Sequence, residues 1–195
     1  MISMMAEAIG DSEPSGEKES TRPIQPRRTI PQVPSWTPEV FVSDDGQEPF
    51  TAFTRSLSDF KYVALDAAIR LVLAARGLDL VRTEWLKALG AGLHEFRVRH
   101  DADGITRMFG RSDDPTAPVA GPPEPVLLRV FMHFHGAKVI LLLSGYDKGR
   151  DPSPRRQDRE IAAARRYLRA WRAQEARRLA ADRRKGTGPG RTAER

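Results

Sequence analysis

The segment Gly92-Leu-His-Glu-Phe-Arg-Val-Arg99 decides how this chain folds. Phe96 and Val98 alternate with Glu95, Arg97 and Arg99, the two-residue period of a half-buried strand. Val126 to Phe134 repeats the pattern. Leu128, Val130, Met132 and Phe134 share one face, and Arg129, Phe131, His133 and His135 share the other. Gly136-Ala137 makes a tight connection. It leads into Val139 to Leu143, apolar on both faces like a strand inside a sheet, and then into Gly145-Tyr-Asp-Lys148. Strands over 93–100, 126–134 and 139–144 form an antiparallel meander.

Upstream, Trp85 to Leu89 is ambiguous between a helical turn and irregular chain before Gly90 and Gly92. Asp59 to Arg76 carries Tyr62, Leu65, Ile69, Val72 and Leu73 at helical spacing, with Gly77 as a stop. Pro49 opens a shorter helix with Phe50, Phe53 and Leu57 on one side. Glu39 to Val42 is a short strand candidate. Residues 1–38 are rich in Ser, Pro, Glu and Thr, and such a segment buries too little apolar area to order itself. The folded domain is therefore expected over 39–172. Downstream, Ser153 is a helix N-cap and Pro154 suits the first turn. The helix carries the stripe Ile161, Ala164, Leu168 and Trp171. Residues 173–195 should project as a basic extension and a flexible tail. The stretch 101–125, with its prolines from Pro115 to Pro125, reads as a long loop in which 105–109 extends the preceding strand. The fold class is α+β: N-terminal helices on one face of a small antiparallel sheet, followed by a C-terminal helix.

At 195 residues the chain makes one domain with tails. It has 0 cysteines, which excludes disulfides, thiolate metal sites and cysteine catalysis and fits a cytoplasmic location. No apolar run is long enough for a membrane span, and no signal peptide is visible. A net charge of +6 and a pI near 10.0 point to a polyanionic partner, or to an arginine-rich genome.

Strand parity puts Arg97 and Arg129 on one face, pointing away from the helices. Guanidinium is planar, permanently charged and bidentate toward phosphate. Lys148 adds a point charge at the strand exit, and Tyr146 adds a phenol. Glu95 can orient Arg97 or move a proton. The alternative is a set of solvated sheet-face arginines paired with Glu95. Arg99, Arg150, His133 and His135 are candidate RNA contacts. The two histidines lack a third ligand, so no metal is expected, and no cofactor motif is present.

Three stretches together carry a resemblance: Leu89-Gly-Ala-Gly-Leu-His-Glu-Phe-Arg97, Leu128-Arg-Val-Phe-Met132, and Ile140-Leu-Leu-Leu-Ser-Gly-Tyr-Asp-Lys148 followed by Pro154 to Ala164. In order and spacing they resemble the RelE/HigB toxin superfamily, in its phage-derived, Gp49-like HigB-type branch. The resemblance implies a RelE-like fold and the toxin of a type II toxin–antitoxin system. Such a toxin cleaves mRNA without a metal or cofactor on the translating ribosome, and a helix-turn-helix antitoxin restrains it. It further implies Arg97 and Arg129 as phosphate clamps, Tyr146 and Lys148 at the end of the central strand, and Glu95 orienting Arg97. Lys148 or Glu95 would take the ribose 2′ proton, and Tyr146 would assist the leaving oxygen or stack on a base. The chain departs from the family at Gly149, where a second lysine is usual, with Arg150 next to it. A non-catalytic, basic RNA- or ribosome-binding protein of the same fold is the rival expectation.

Overall fold

The computed structural model describes residues 35–110 and 122–186. Five strands form one mixed sheet in the order β1-β5-β4-β3-β2. β3 (Leu93–Val98), β4 (Leu128–His135) and β5 (Val139–Asp147) make the expected antiparallel meander. The sheet is not purely antiparallel, because β1 (Thr37–Val40) runs parallel to β5. A four-residue strand separated from its partner by about half of the chain carries no local mark of direction. The ambiguous segment before Gly90 is strand β2 (Leu86–Gly90), paired antiparallel with β3. Gly90, Ala91 and Gly92 all have positive φ, so the two glycines build the hairpin turn.

Helices α1 (Pro49–Arg55) and α2 (Asp59–Ala67) start where expected. The second does not run on uniformly. Ala68–Leu73 winds as a π-helix before the short α3 (Ala74–Arg76), which ends at Gly77. Gly77 has φ +50, and a Cβ there would collide with the Trp36 ring. A π turn inserts a residue and rotates the apolar stripe. Leu65, Val72 and Leu73 are buried, while Tyr62 is 50% exposed and Phe60 and Ala64 face the core instead. Trp36 packs edge-on to Phe134 at 4.9 Å, so the fold begins before the expected boundary at residue 39.

The expected loop after β3 instead opens with helix α4 (Ala102–Phe109). Asp101 accepts from the Gly104 N–H at 2.7 Å as its N-cap, and Ile105 is fully buried. The expectations for 1–34, for 111–121 and for 187–195 lie outside the described residues.

Helix α5 (Pro154–Gly186) changes the picture most. One sheet face, with Phe96, Val98, Leu128, Val130 and Met132, packs on α1, α2 and α4. The other face, with Leu93, Phe131, Leu141 and Leu143, packs on Ala164 and Leu168 of α5. The face that carries Arg97 and Arg129 is therefore covered, not open. An apolar helical stripe requires an apolar partner, and Phe131 with its neighbours supplies it. Past Trp171 the helix stays tethered: Gln174 donates to the Val42 carbonyl at 3.1 Å, and Arg177 pairs with Asp44 at 2.8 Å. Among the described residues no helix is long and apolar enough to cross a membrane.

Where α1 crosses β5, Gly145 lies beneath the Phe53 ring, and a Cβ there would meet that ring and come within 2.9 Å of the Arg129 carbonyl. Overpacking of this kind costs about 1–3 kcal/mol. Gly145→Ala should lower the urea midpoint accordingly, whereas Gly136→Ala, whose site has open space for the methyl but a positive φ, should report backbone strain alone.

Candidate functional site around Glu95

Arg97 faces Arg129 in register across β3 and β4, and Arg129 faces Tyr146 across β4 and β5. One row of the sheet thus holds three of the residues that the sequence singles out. Glu95 sits two residues before Arg97 on the same face. Arg97 Nε donates to its Oε1 at 2.8 Å, and Arg129 Nε lies 3.3 Å from the same oxygen. Glu95 is 0% exposed and Arg129 5%, whereas the Arg97 side chain keeps 22%. Burial pulls the Arg129 guanidinium below its ordinary pKa, and the Glu95 charge opposes that shift.

A residue that sequence reasoning missed closes the group. Gln157, in the first turn of α5, donates to Glu95 Oε2 at 3.4 Å and accepts from Lys148 Nζ at 3.2 Å. Lys148, Glu95, Arg97 and Arg129 therefore belong to one network. The signal lay in the α5 stripe: Gln157, Ile161, Ala164 and Leu168 follow at spacings of four, three and four.

The strand exit that presents Lys148 is itself anchored. Buried Lys61 of α2 pairs with Asp147 at 2.7 Å and with Glu124 at 3.0 Å. Burial opposes the Lys61 ammonium, but hydrogen bonds to both carboxylates outweigh it and hold the pKa above the ordinary lysine value. Asp147 also accepts from the Gly149 N–H at 2.8 Å. Arg150 lies two residues past Lys148 and keeps a largely exposed side chain. It turns back toward Asp147 at 3.6 Å and lines a cleft of about 830 Å³ between α1, the end of β5 and α5.

Tyr146 does not form an exposed lip. It is 3% exposed, stacked on Phe131 at 6.0 Å. Burial first, and Glu95 second, push its phenol up to about 12, so it stays protonated. Its ring is already stacked and cannot receive a base. Arg99 pairs with Glu84 at 3.3 Å toward the edge of the sheet. His133 and His135 stand apart from the network, about 13 and 20 Å along β4 from Arg129 at ~3.3 Å per residue. They stack on each other, and both pack on Trp171, at 5.4 and 4.6 Å. Their place is the seam between β4 and α5. Burial pulls the His133 pKa down, and the nearby Arg172 and His135 add to the shift. Burial also lowers His94. Among the described residues no cluster of three or more histidine or acidic side chains is placed to hold a metal ion.

The arrangement presents fixed positive charge. A buried carboxylate aligns two guanidiniums, and Arg97 and Lys148 retain solvent contact through which an anionic group can approach. Glu95 has no such access. A search of known protein families finds no model that matches the chain, and no curated protein matches it either.

Glu95→Ala would leave Arg129 buried without its counter-charge, and breaking a buried pair costs about 3–5 kcal/mol. A denaturant midpoint that stays at the wild-type value would refute this role for Glu95. The histidines set a pH dependence of opposite origin. With folded pKa values below the ordinary 6.5, His94 and His133 resist protonation in the fold more than in the unfolded chain. Stability should thus be full above 6.5 and decline as pH falls through the lowered values. The decline in melting temperature on that side should flatten in a His94→Gln/His133→Gln variant.

Proposed function

We propose that this protein is a RelE/HigB-like toxin: an endoribonuclease that cleaves mRNA on the translating ribosome without a metal, held in check by a small helix-turn-helix antitoxin. The observation that carries the reading is the network Lys148–Gln157–Glu95–Arg97/Arg129, which gathers three cations around one carboxylate at a partly exposed rim. The order of elements supports it as well: helices on one side of a small sheet, a meander bearing the arginines, then a C-terminal helix.

In this mechanism the ribose 2′ oxygen attacks the adjacent phosphorus and loses its proton to water. The bond from phosphorus to the 5′ oxygen breaks, and that oxygen leaves with a proton from the Lys148 ammonium, which solvent then restores. The products are a 2′,3′-cyclic phosphate and a 5′ hydroxyl. Arg97 binds the phosphoryl oxygens as their charge grows, and preorganised charge of this kind is the main source of acceleration. Arg129 and Glu95 are positioning residues. Glu95 cannot serve as the base for a substrate it does not touch, and Tyr146 is out of reach of the leaving oxygen.

The burial of Arg129 and Tyr146 under α5 favours a second reading, a non-catalytic basic protein that binds RNA or the ribosome. Expression of the wild type should arrest growth, and purified protein with ribosomes should cut mRNA equally well with a chelator present. Arg97→Gln should slow cleavage about 10²–10³-fold, the scale for removing one oxyanion-type donor. RNA binding without products, with wild-type behaviour of Arg97→Gln, would select the second reading instead.

A further inference from the structure

Helix α5 has two faces of opposite character. At about 100° per residue, Gln157, Ile161, Ala164, Leu168 and Trp171 cluster on the side that meets the sheet. Arg155, Arg159, Arg166 and Arg169 fall within an arc of about 80° centred on the opposite side. All four are exposed. Among the described residues none of the four forms an ion pair or a side-chain hydrogen bond. Arg159 lies near enough to Asp151 to help hold that carboxyl low. The other arginines of the helix up to Arg178 are occupied. Arg165 and Arg172 donate to the carbonyls of Leu89 and Ala91 at 3.0 and 2.8 Å, and Arg156, Arg177 and Arg178 pair with Glu160, Asp44 and Glu175.

We infer that the outer face of α5 is a docking surface for the phosphate backbone of double-helical RNA, separate from the network around Glu95. The chemistry and the spacing both favour this occupant. The four arginines form two pairs along a ridge about 21 Å long at ~1.5 Å rise per residue. Guanidiniums bind phosphate oxygens bidentately, and double-stranded RNA is recognised through its shape and backbone across a wide, shallow groove. Ala162 lies between the two pairs, and Ala170 and Ala173 follow Arg169, so a backbone can approach closely. The same alanines argue against a membrane, since an interfacial helix needs large apolar side chains between its cations. Asp158, exposed at the edge of the ridge, does not interrupt it.

The inference rests on RNA as the partner but not on catalysis, and the two can fail separately. The full-length protein is titrated against an RNA duplex of about 16 base pairs, the span of a typical double-strand binder, at several salt concentrations. Wild type should bind with a steep salt dependence. Each Arg→Gln substitution on the ridge should reduce the salt slope by about one, and the quadruple variant by about four. The graded single variants keep the test valid if the quadruple variant loses helix content. Arg97→Gln should keep duplex binding. Equal duplex affinity and slope in wild type and quadruple variant would overturn the inference, as would binding to phosphatidylserine vesicles in place of the duplex. Loss of duplex binding in a protein that never cleaves RNA would support this surface and refute the endoribonuclease.

Discussion

A carboxylate without solvent contact is the constraint on which this structure turns. An isolated buried charge is strongly unfavourable, and only paired, hydrogen-bonded partners make it tolerable. Glu95 meets that requirement with Arg97, Arg129 and Gln157, one group from each of three elements. The dependence runs both ways. Two arginines directly opposite on neighbouring strands repel each other, and the carboxylate between them makes the register at 97 and 129 acceptable. Gln157 then fixes where the first turn of α5 must lie.

That placement explains why α5 can be long and mostly polar. Its inner stripe is short, but it is fastened at several points. Gln157 holds one end, Ala164 and Leu168 fill the apolar seam, and Trp171 closes over His133 and His135. Arg165 and Arg172 cap carbonyls of the β2–β3 hairpin, which otherwise carries exposed acceptors. These contacts consume arginines on the flank of the helix and leave Arg155, Arg159, Arg166 and Arg169 on its outer arc uncommitted. The division of one helix into anchoring and free cations follows from the 3.6-residue repeat.

The sheet was legible in the sequence because its information is parity. Phe96 against Arg97, and Val130 against Arg129, assign both faces without knowledge of the rest of the chain. Gln157 was missed, although it stands one turn before a stripe that the sequence shows. Other features depend on partners that sequence order does not reveal. Lys61 on a helix that faces the core looks like an error until Asp147, at the far end of β5, supplies its counter-charge. Tyr62 fits a regular helical stripe, but the buried face of α2 is set by Phe60, Lys61, Ala64 and Leu65, which leaves Tyr62 outward. The arginine face looked open because an α5 stripe of two small or medium apolar residues and two larger ones did not say which sheet face would receive it.

The covering of that face also bears on the role of Gly149. A fully open cationic surface would need several charges to hold a flexible polyanion. Here Arg129 and Tyr146 are withdrawn beneath α5, and the accessible positive charge of the network is confined to the rim where Arg97 and Lys148 emerge. At Gly149 the backbone N–H serves Asp147, and a Cβ would stand 3.0 Å from that carboxylate oxygen. A lysine at this position would crowd the turn that anchors β5 through Lys61. The glycine keeps that turn tight, and the turn fixes the strand exit from which Lys148 reaches Gln157. The turn thus trades side-chain bulk at Gly149 for a fixed position of the Lys148 charge.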